Sequence, residues 1–149
     1  MKILVDADAC PVKDIIVQTA KDRSIPVTML IDTSHVLADG YSTVITVDKG
    51  RDSADIRLVN LICPGDLVVT QDYGVAAVSL ARGAKALNQN GLVYSDENMD
   101  RLLFERALGQ KIRRSGKRFG KIRKRTSDDD AAFRLALEDL LAEPPKSGE

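Results

Sequence analysis

Two aspartates, Asp6 and Asp8, end the first apolar run of the chain, "ILVDADAC" at residues 3–10. A carboxylate at the end of a buried strand must find a partner, because an unpaired buried charge is costly. Alternate residues of a strand point to the same side, about 7 Å apart, so the two carboxylates can flank one site. Clustered carboxylates repel one another, and a divalent cation such as Mg²⁺ relieves that repulsion while keeping several of its waters. The stretch therefore predicts an acidic site that binds a divalent cation.

More aspartates follow the later strands that the sequence predicts. Asp48 follows the third strand, Asp52 and Asp55 open the next helix, and Asp72 directly follows the fourth strand. In open α/β sheets, ligand sites form beyond the carboxyl ends of the strands. We therefore expect these carboxylates to meet at one edge of the sheet. Each position also fits a simpler interpretation, since Asp52 with Asp55, and Asp72 alone, are typical helix caps.

Apolar runs alternate with helical patterns along the chain. The fold that this alternation predicts determines where the aspartates lie. Strands that are apolar on both faces and alternate with helices indicate a parallel sheet covered on both sides. We predict an α/β fold, a three-layer α/β/α sandwich with a mainly parallel sheet of about five strands. The predicted strands are 2–7, 26–31, 43–47, 66–70 and 85–88. The predicted helices are 12–22, 53–63, 74–82, 96–114 and 128–142.

Local patterns refine three of these helices. Ile56, Val59 and Ile62 recur at spacings of three, which predicts the buried face of the second helix. Ser95 fits the N-cap of the fourth helix, and Ser127 with Asp130 matches a capping box before the last one.

The length of 149 residues predicts one domain, residues 1–142, followed by a disordered tail at 143–149. No stretch approaches the roughly 20 apolar residues of a membrane span. The two cysteines are too few for a disulfide framework. We expect a cytoplasmic protein without a membrane partner, and the sequence leaves its oligomeric state open.

A basic arm, "KIRRSGKRFGKIRKR" at residues 111–125, contains nine basic residues and no acidic one, although the whole chain has no net charge. So many basic residues in one segment favour binding to a polyanion, because phosphate contacts supply most non-specific affinity for nucleic acids. The alternative is a solvated charge run that aids solubility. The residues that we expect to bind RNA or DNA are Arg113, Arg114, Lys117, Arg118 and Lys121.

Four stretches together resemble the bacterial YaiI/YqxD family, which is grouped with the PIN-like nuclease superfamily. They are "VDADACPV" (5–12), "DSAD" (52–55), "VVTQD" (68–72) and "KIRRSG" (111–116). The resemblance extends from residue 1 to about 141. It implies a PIN-like sandwich with an acidic site that binds Mg²⁺ or Mn²⁺ and cleaves phosphodiesters.

The resemblance also implies roles for individual residues. Asp6 matches the first-strand aspartate of the superfamily, Asp72 the aspartate after the fourth strand, and Asp55 the helical acid; these three would be metal ligands. Asp8 belongs to the narrower family motif and would join them in catalysis. Asp52 and Thr70 would have secondary roles. The chain departs from the superfamily pattern in having no clear match for a further acid after the helix that follows the fourth strand.

Three functions are compatible with these features. The first is a metal-dependent nuclease, in which the cation lies at the scissile phosphate while the basic arm holds neighbouring phosphates. The second is a haloacid-dehalogenase-type phosphatase, suggested by D-x-D after a first strand but weakened by the absence of matching later motifs. The third is a non-catalytic nucleic-acid-binding module whose carboxylates are only caps and structural partners.

Overall fold

The computed structural model describes residues 1–8, 10–32, 39–47, 54–116 and 124–142. These residues form an α/β fold with one mostly parallel sheet and helices on both of its faces. The strands are β1 (Ile3–Asp6), β2 (Val27–Asp32), β3 (Thr43–Val47), β4 (Leu67–Val69), β5 (Lys85–Leu87) and β6 (Val93–Tyr94). The helices are α1 (Lys13–Asp22), α2 (Ala54–Leu61), α3 (Tyr73–Ala81), α4 (Asp96–Arg114) and α5 (Ser127–Ala142).

The strand order across the sheet is β3-β2-β1-β4-β5-β6. β1 to β5 are parallel, which confirms that the first four predicted strands are parallel neighbours. β6 pairs antiparallel with β5 and was not predicted, because two residues are too few to show a strand pattern. From β1, the strands β2 and β3 are added on one side of the sheet, and β4, β5 and β6 are then added on the other side of β1. The order therefore reverses between β1 and β4, where α/β sheets bind ligands.

Alternating strand residues separate the core into two layers, as expected for a sheet covered on both faces. Ile3 and Val5 of β1 pack with α1 and α5, where Phe133 is fully buried. Leu4, between them, points to the other face and packs with Leu58 of α2. Since Asp6 is two residues after Leu4, its side chain belongs to the face that α2, α3 and α4 cover. This alternation places the carboxylate of Asp6 beside the helices that carry Asp55 and Asp72.

Two local predictions about the helices were partly wrong. For α2, Ile62 just after the helix is buried and Val59 packs against the same core, as predicted, but Ile56 is 51% exposed and Leu58 is the buried residue of the helix. A spacing of three drifts around a helix of 3.6 residues per turn, so the first of the three positions turns away from the core. The last helix begins at Ser127, and the Asp129 carboxylate accepts a 2.9 Å hydrogen bond from the backbone of Thr126. The predicted cap on Ser127 and Asp130 is thus displaced by one residue.

Ser95 does cap α4, as predicted. Its side chain accepts from the Asn98 backbone, and the Asn98 side chain accepts from the Ser95 backbone in return. The predicted tail, residues 143–149, lies outside the described residues. No helix in the described part of the chain is long and apolar enough to cross a membrane.

Candidate active site

The candidate site lies at the carboxyl ends of β1 and β4, where the strand order reverses. Asp6 is the last residue of β1, and Thr70 and Asp72 follow β4 directly. Because neighbouring parallel strands end at the same edge of the sheet, this topology brings the two aspartates together. Both line a single cavity, in agreement with the predicted acidic edge.

Thr70 connects the two aspartates through its hydroxyl. The hydroxyl accepts a 3.0 Å hydrogen bond from the backbone N–H of Asp72 and donates one of 3.4 Å to Oδ2 of Asp6. Thr70 is only 2% exposed, and its carbonyl accepts a hydrogen bond from the hydroxyl of Tyr94. Thr70 is therefore a buried, hydrogen-bonded support on which both aspartates depend for their position.

Asp6 holds its proton more tightly than an ordinary aspartate. Burial, and then the negative charges of Asp8, Asp55 and Asp72, raise the pKa of Asp6 from 3.8 to about 6. The hydrogen bond from Thr70 opposes this and lowers the pKa. Asp8, Asp55 and Asp72 thus lie near enough to act electrostatically on Asp6, and of these three Asp72 lines the same cavity.

Two of the clustered aspartates also perform structural roles. Asp72 is the N-cap of α3, where its side chain accepts a 3.0 Å hydrogen bond from the backbone of Val75. Asp8 accepts a 3.2 Å hydrogen bond from the backbone N–H of Asp32, at the end of β2. The chain has left β1 before Asp8, so Asp8 reaches toward β2 while it still acts electrostatically on Asp6. The cap interpretation of Asp72 is thus correct, and it is compatible with a position in the cavity.

The carboxylate oxygens at this edge suit a hard cation, but they do not form a complete coordination shell. Asp6 and Asp72 offer carboxylate oxygens to one cavity, and Mg²⁺ needs only a few such ligands because it retains waters. Asp55 lies in the first turn of α2, where its side chain accepts a 3.2 Å bond from the backbone of Ile56. Within the described ranges, no three His, Cys, Asp or Glu side chains converge as a metal-binding group. Asp48 and Asp52 lie outside those ranges.

The cavity has a volume of about 610 Å³, and α4 forms its second wall. Its lining residues are Asp6, Gln71, Asp72, Tyr73, Glu105, Arg106, Gly109 and Arg113. Two carboxylates thus come from the sheet edge, and α4 contributes one carboxylate, Glu105, and two guanidinium groups. Arg106 lies over the ring of Tyr73, with its guanidinium carbon 5.7 Å from the ring centre. Such a cation–π contact holds the guanidinium beside the acidic edge.

The basic arm is divided between different environments. Residues 111–114 form the end of α4, where Arg113 lines the cavity and Arg114 is exposed elsewhere. Three further predicted nucleic-acid ligands, Lys117, Arg118 and Lys121, lie outside the described residues.

Arg125, at the end of the arm, makes structural contacts. Its guanidinium donates 2.8 Å to Asp130 and 2.7 Å each to the Asn90 side chain and the Gln89 carbonyl. It therefore anchors the start of α5 to the turn between β5 and β6. Gly91 completes this contact: its φ is +89°, and an added Cβ would lie 2.7 Å from the Ala132 carbonyl oxygen.

Three charged residues at this edge were not predicted. Asp32 ends β2, one residue beyond the predicted strand, and Glu105 and Arg106 face the cavity from α4. An Asp directly after "MLI" gave a recognisable signal for Asp32. Glu105 and Arg106 lie in a helix rich in charges, so only the packing of α4 distinguishes them from its solvent-facing residues.

Comparison with known proteins yields close relatives along the whole chain. Proteins named UPF0178 protein are 69% identical in Ruminiclostridium cellulolyticum, 55% in Alkaliphilus oremlandii and 46% in Exiguobacterium sibiricum. These alignments cover 99%, 96% and 96% of this chain and 95%, 92% and 98% of the respective relatives. No solved structure matches.

A family model described as "Uncharacterized BCR, YaiI/YqxD family" matches residues 4–143. This range includes both sides of the cavity, from Asp6 on β1 to Arg113 on α4. Together with relatives that align from end to end, it shows that the chain belongs to the YaiI/YqxD family.

Proposed function

We propose that this protein is a metal-dependent nuclease that hydrolyses phosphodiester bonds in RNA or DNA. The observation that carries the proposal is that one cavity holds the carboxylates Asp6 and Asp72 from the sheet edge and, beside Glu105, the guanidinium groups of Arg106 and Arg113 from α4. A phosphodiesterase needs both, because a cation acts at the scissile phosphate and basic side chains hold the flanking phosphates. The resemblance to the PIN-like superfamily supports the same reaction.

The residues of the chain have distinct roles in this proposal. Asp6 and Asp72 would hold Mg²⁺ or Mn²⁺, with Asp55 approaching from α2 and water filling the remaining positions. When bound, such an ion lowers the pKa of a coordinated water and stabilises charge on the leaving oxygen. Thr70 fixes Asp6 through the hydroxyl hydrogen bond. Asp6 must lose its proton to act as a ligand, so its raised pKa makes metal affinity depend on pH.

Arg106 and Arg113 would bind the phosphates on either side of the reacting one. Their cavity wall is a helix, and a guanidinium can donate two parallel hydrogen bonds to a phosphate. Arg106 is held against Tyr73, which reduces the conformational freedom that it loses on binding. These side chains would contact phosphate groups and not the bases, so we expect binding to depend little on nucleotide sequence.

A second candidate is a nucleic-acid-binding module without catalysis. It is favoured by the hydrogen bonds that occupy Asp72 and Asp8 in capping α3 and in holding Asp32. In that case the carboxylates serve the fold, and only the arginines of α4 bind the nucleic acid. The phosphatase alternative lacks a comparable observation in its favour.

Calorimetric titration with Mn²⁺, combined with hydrolysis assays, separates these functions. The assays use single-stranded RNA, single-stranded DNA and the phosphomonoester p-nitrophenyl phosphate. A nuclease should bind Mn²⁺ and cleave a single strand, and Asp6→Asn should abolish both. Asp14→Asn, an exposed carboxylate in the first turn of α1, is the matched control and should change neither. Strand binding without cleavage at any Mn²⁺ concentration would favour the non-catalytic module, and cleavage of the monoester alone would favour a phosphatase.

A further inference from the structure

Helix α4 exposes an apolar patch on the side that faces away from the cavity. Phe104 is 68% exposed, and Leu103 and Leu108 are 43% and 41% exposed. The helix packs on α3 through Met99 and Leu102 and faces the cavity with Arg106, Gly109 and Arg113. At 3.6 residues per turn, the exposed patch lies on the opposite side of the helix. An exposed Phe flanked by two exposed Leu residues indicates an interaction surface.

Exposed residues on this side of α4 recur at alternating spacings of three and four, so they form one continuous stripe along the helix. We call this set the outer seam; its members are Glu97, Asp100, Phe104, Ala107, Lys111 and Arg114. All six are exposed. The seam is acidic at its N-terminal end, apolar in the middle and basic at its C-terminal end.

The outer seam is complementary to itself in the antiparallel direction. Consider a second copy of α4 that lies antiparallel across the outer seam, with the twofold axis level with the peptide bond between residues 105 and 106. Each seam residue then faces the residue of the other copy whose number, added to its own, gives 211. Asp100 then faces Lys111, and Glu97 faces Arg114. At the apolar centre Phe104 lies opposite Ala107 by the same rule, and Leu103 and Leu108 flank this pair on opposite edges of the interface. A twofold interface must be self-complementary in this way, since each pair occurs twice.

We propose that the protein forms an antiparallel homodimer through the outer seam of α4. The four charged seam residues make no hydrogen bond or ion pair within the part of the chain that the structure describes, so they are available to a partner. A parallel pair would instead set Asp100 against Asp100 and Lys111 against Lys111, and the repulsion excludes that orientation. One helix pair is a small interface, so we expect reversible dimerisation at micromolar concentrations.

The dimer leaves both cavities accessible, because the seam and the cavity wall are on opposite sides of α4. It also separates two neighbouring arginines of the basic arm by function. Arg113 faces the cavity, whereas Arg114 faces Glu97 of the second copy. The inference rests on α4 alone and does not require that the cavity be catalytic.

Sedimentation velocity of the full chain over a range of concentrations tests the proposal through charge exchange. Asp100→Lys creates two Lys–Lys contacts across the axis, and Lys111→Asp creates two Asp–Asp contacts. Each variant alone should weaken the dimer at least about tenfold. The double variant Asp100→Lys/Lys111→Asp should dimerise like the wild type, because both ion pairs return with their polarity reversed. An equimolar mixture of the two single variants should form a heterodimer for the same reason.

Phe104→Glu provides a test of the apolar centre and should give a monomer at every concentration. Phe104 is largely exposed in the single chain, so circular dichroism of this variant should match that of the wild type. A wild-type protein that stays monomeric at millimolar concentration would refute the proposal. A dimer that persists unchanged in Phe104→Glu and in both charge variants would refute it equally, since another surface would then form the interface.

Discussion

The hydroxyl of Thr70 donates a hydrogen bond of 3.4 Å to the carboxylate of Asp6, across the point where the strand order of the sheet reverses. The same hydroxyl accepts from the backbone of Asp72, so a single buried oxygen connects the ends of β1 and β4. This bond opposes the raised pKa of Asp6, whereas burial and three neighbouring carboxylates raise that pKa. The protonation of Asp6 is therefore sensitive to Thr70.

Replacing Thr70 by Val should raise the pKa of Asp6 above its value of about 6, because the hydroxyl that stabilises the carboxylate is lost. The free energy of unfolding should fall by about 1–2 kcal/mol, since the Asp72 N–H also loses its acceptor. A carbon-detected NMR titration of the Asp6 carboxyl measures the pKa. Thr70→Ser keeps the hydroxyl and should leave the pKa close to that of the wild type. An equal shift in both variants would show that packing, and not the hydrogen bond, controls Asp6.

Asp6→Asn should stabilise the fold at neutral pH and have little effect in acid. The raised pKa means that the folded state holds the Asp6 proton more tightly than the unfolded state does. The free energy of unfolding therefore falls as the pH rises from about 4 to about 6, and it levels off above. After allowance for solvent screening of this partly exposed group, removal of the charge should add about 1–2 kcal/mol above pH 6.

Urea unfolding at about pH 4 and about pH 8 measures this difference. Asp14→Asn serves as the control, because that exposed carboxylate lies on α1 and away from the cluster. A variant of Asp6 that is strongly destabilised at both pH values would show that the carboxylate holds the fold together. The interpretation of Asp6 as a ligand under repulsion would then be wrong.

The part of the site that the sequence predicts is the part that strand topology determines. Asp6 and Asp72 directly end apolar runs, and parallel strands bring such positions to the same edge of the sheet. Thr70 was recognisable only because it lies two residues before Asp72 in a family motif. The positions of Asp6 and Asp72 follow from local pattern and chain order, whereas Thr70 needed the family motif.

The rest of the site depends on tertiary packing, which leaves no local pattern. Glu105, Arg106 and Arg113 face the cavity because Met99 and Leu102 fix the rotation of α4 against α3. Arg125 looks like one more member of a charge run, yet the docking of α5 on the turn between β5 and β6 gives it three hydrogen-bond acceptors. β6 is too short to be recognised except by its pairing with β5.

Arg125→Met should destabilise the protein by about 2–3 kcal/mol, because the guanidinium donates three hydrogen bonds, including one to a charged partner. Met retains an apolar stem of similar length, so the loss reports on the hydrogen bonds. Lys124→Met removes an exposed charge at the preceding position and should change the free energy of unfolding by less than about 0.5 kcal/mol. Urea denaturation compares the two. Equal stability of both variants would mean that Arg125 does not anchor α5.

Arg113→Ala and Arg114→Ala should have different effects on nucleic-acid binding, although the two residues are adjacent in the same helix. Arg113 lines the cavity, whereas Arg114 is exposed on the outer seam. Binding of a fluorescent single strand to Arg113→Ala should weaken regardless of base sequence. The slope of log affinity against log salt should decrease by about 0.7, the value for one phosphate contact to a single strand. Arg114→Ala should retain the wild-type slope.

Fluorescence anisotropy across a salt series measures both slopes, at protein concentrations where sedimentation velocity shows the wild type and both variants to be monomeric, because Arg114→Ala also removes a contact of the proposed dimer. Mn²⁺ binding should survive in Arg113→Ala, because a guanidinium supplies no oxygen ligand. If the two substitutions reduce the slope equally, the arm acts as a diffuse positive surface and the cavity does not select between its arginines. If neither changes it, the charges at the end of α4 do not contact the strand, and a small phosphorylated molecule becomes the better ligand for the cavity.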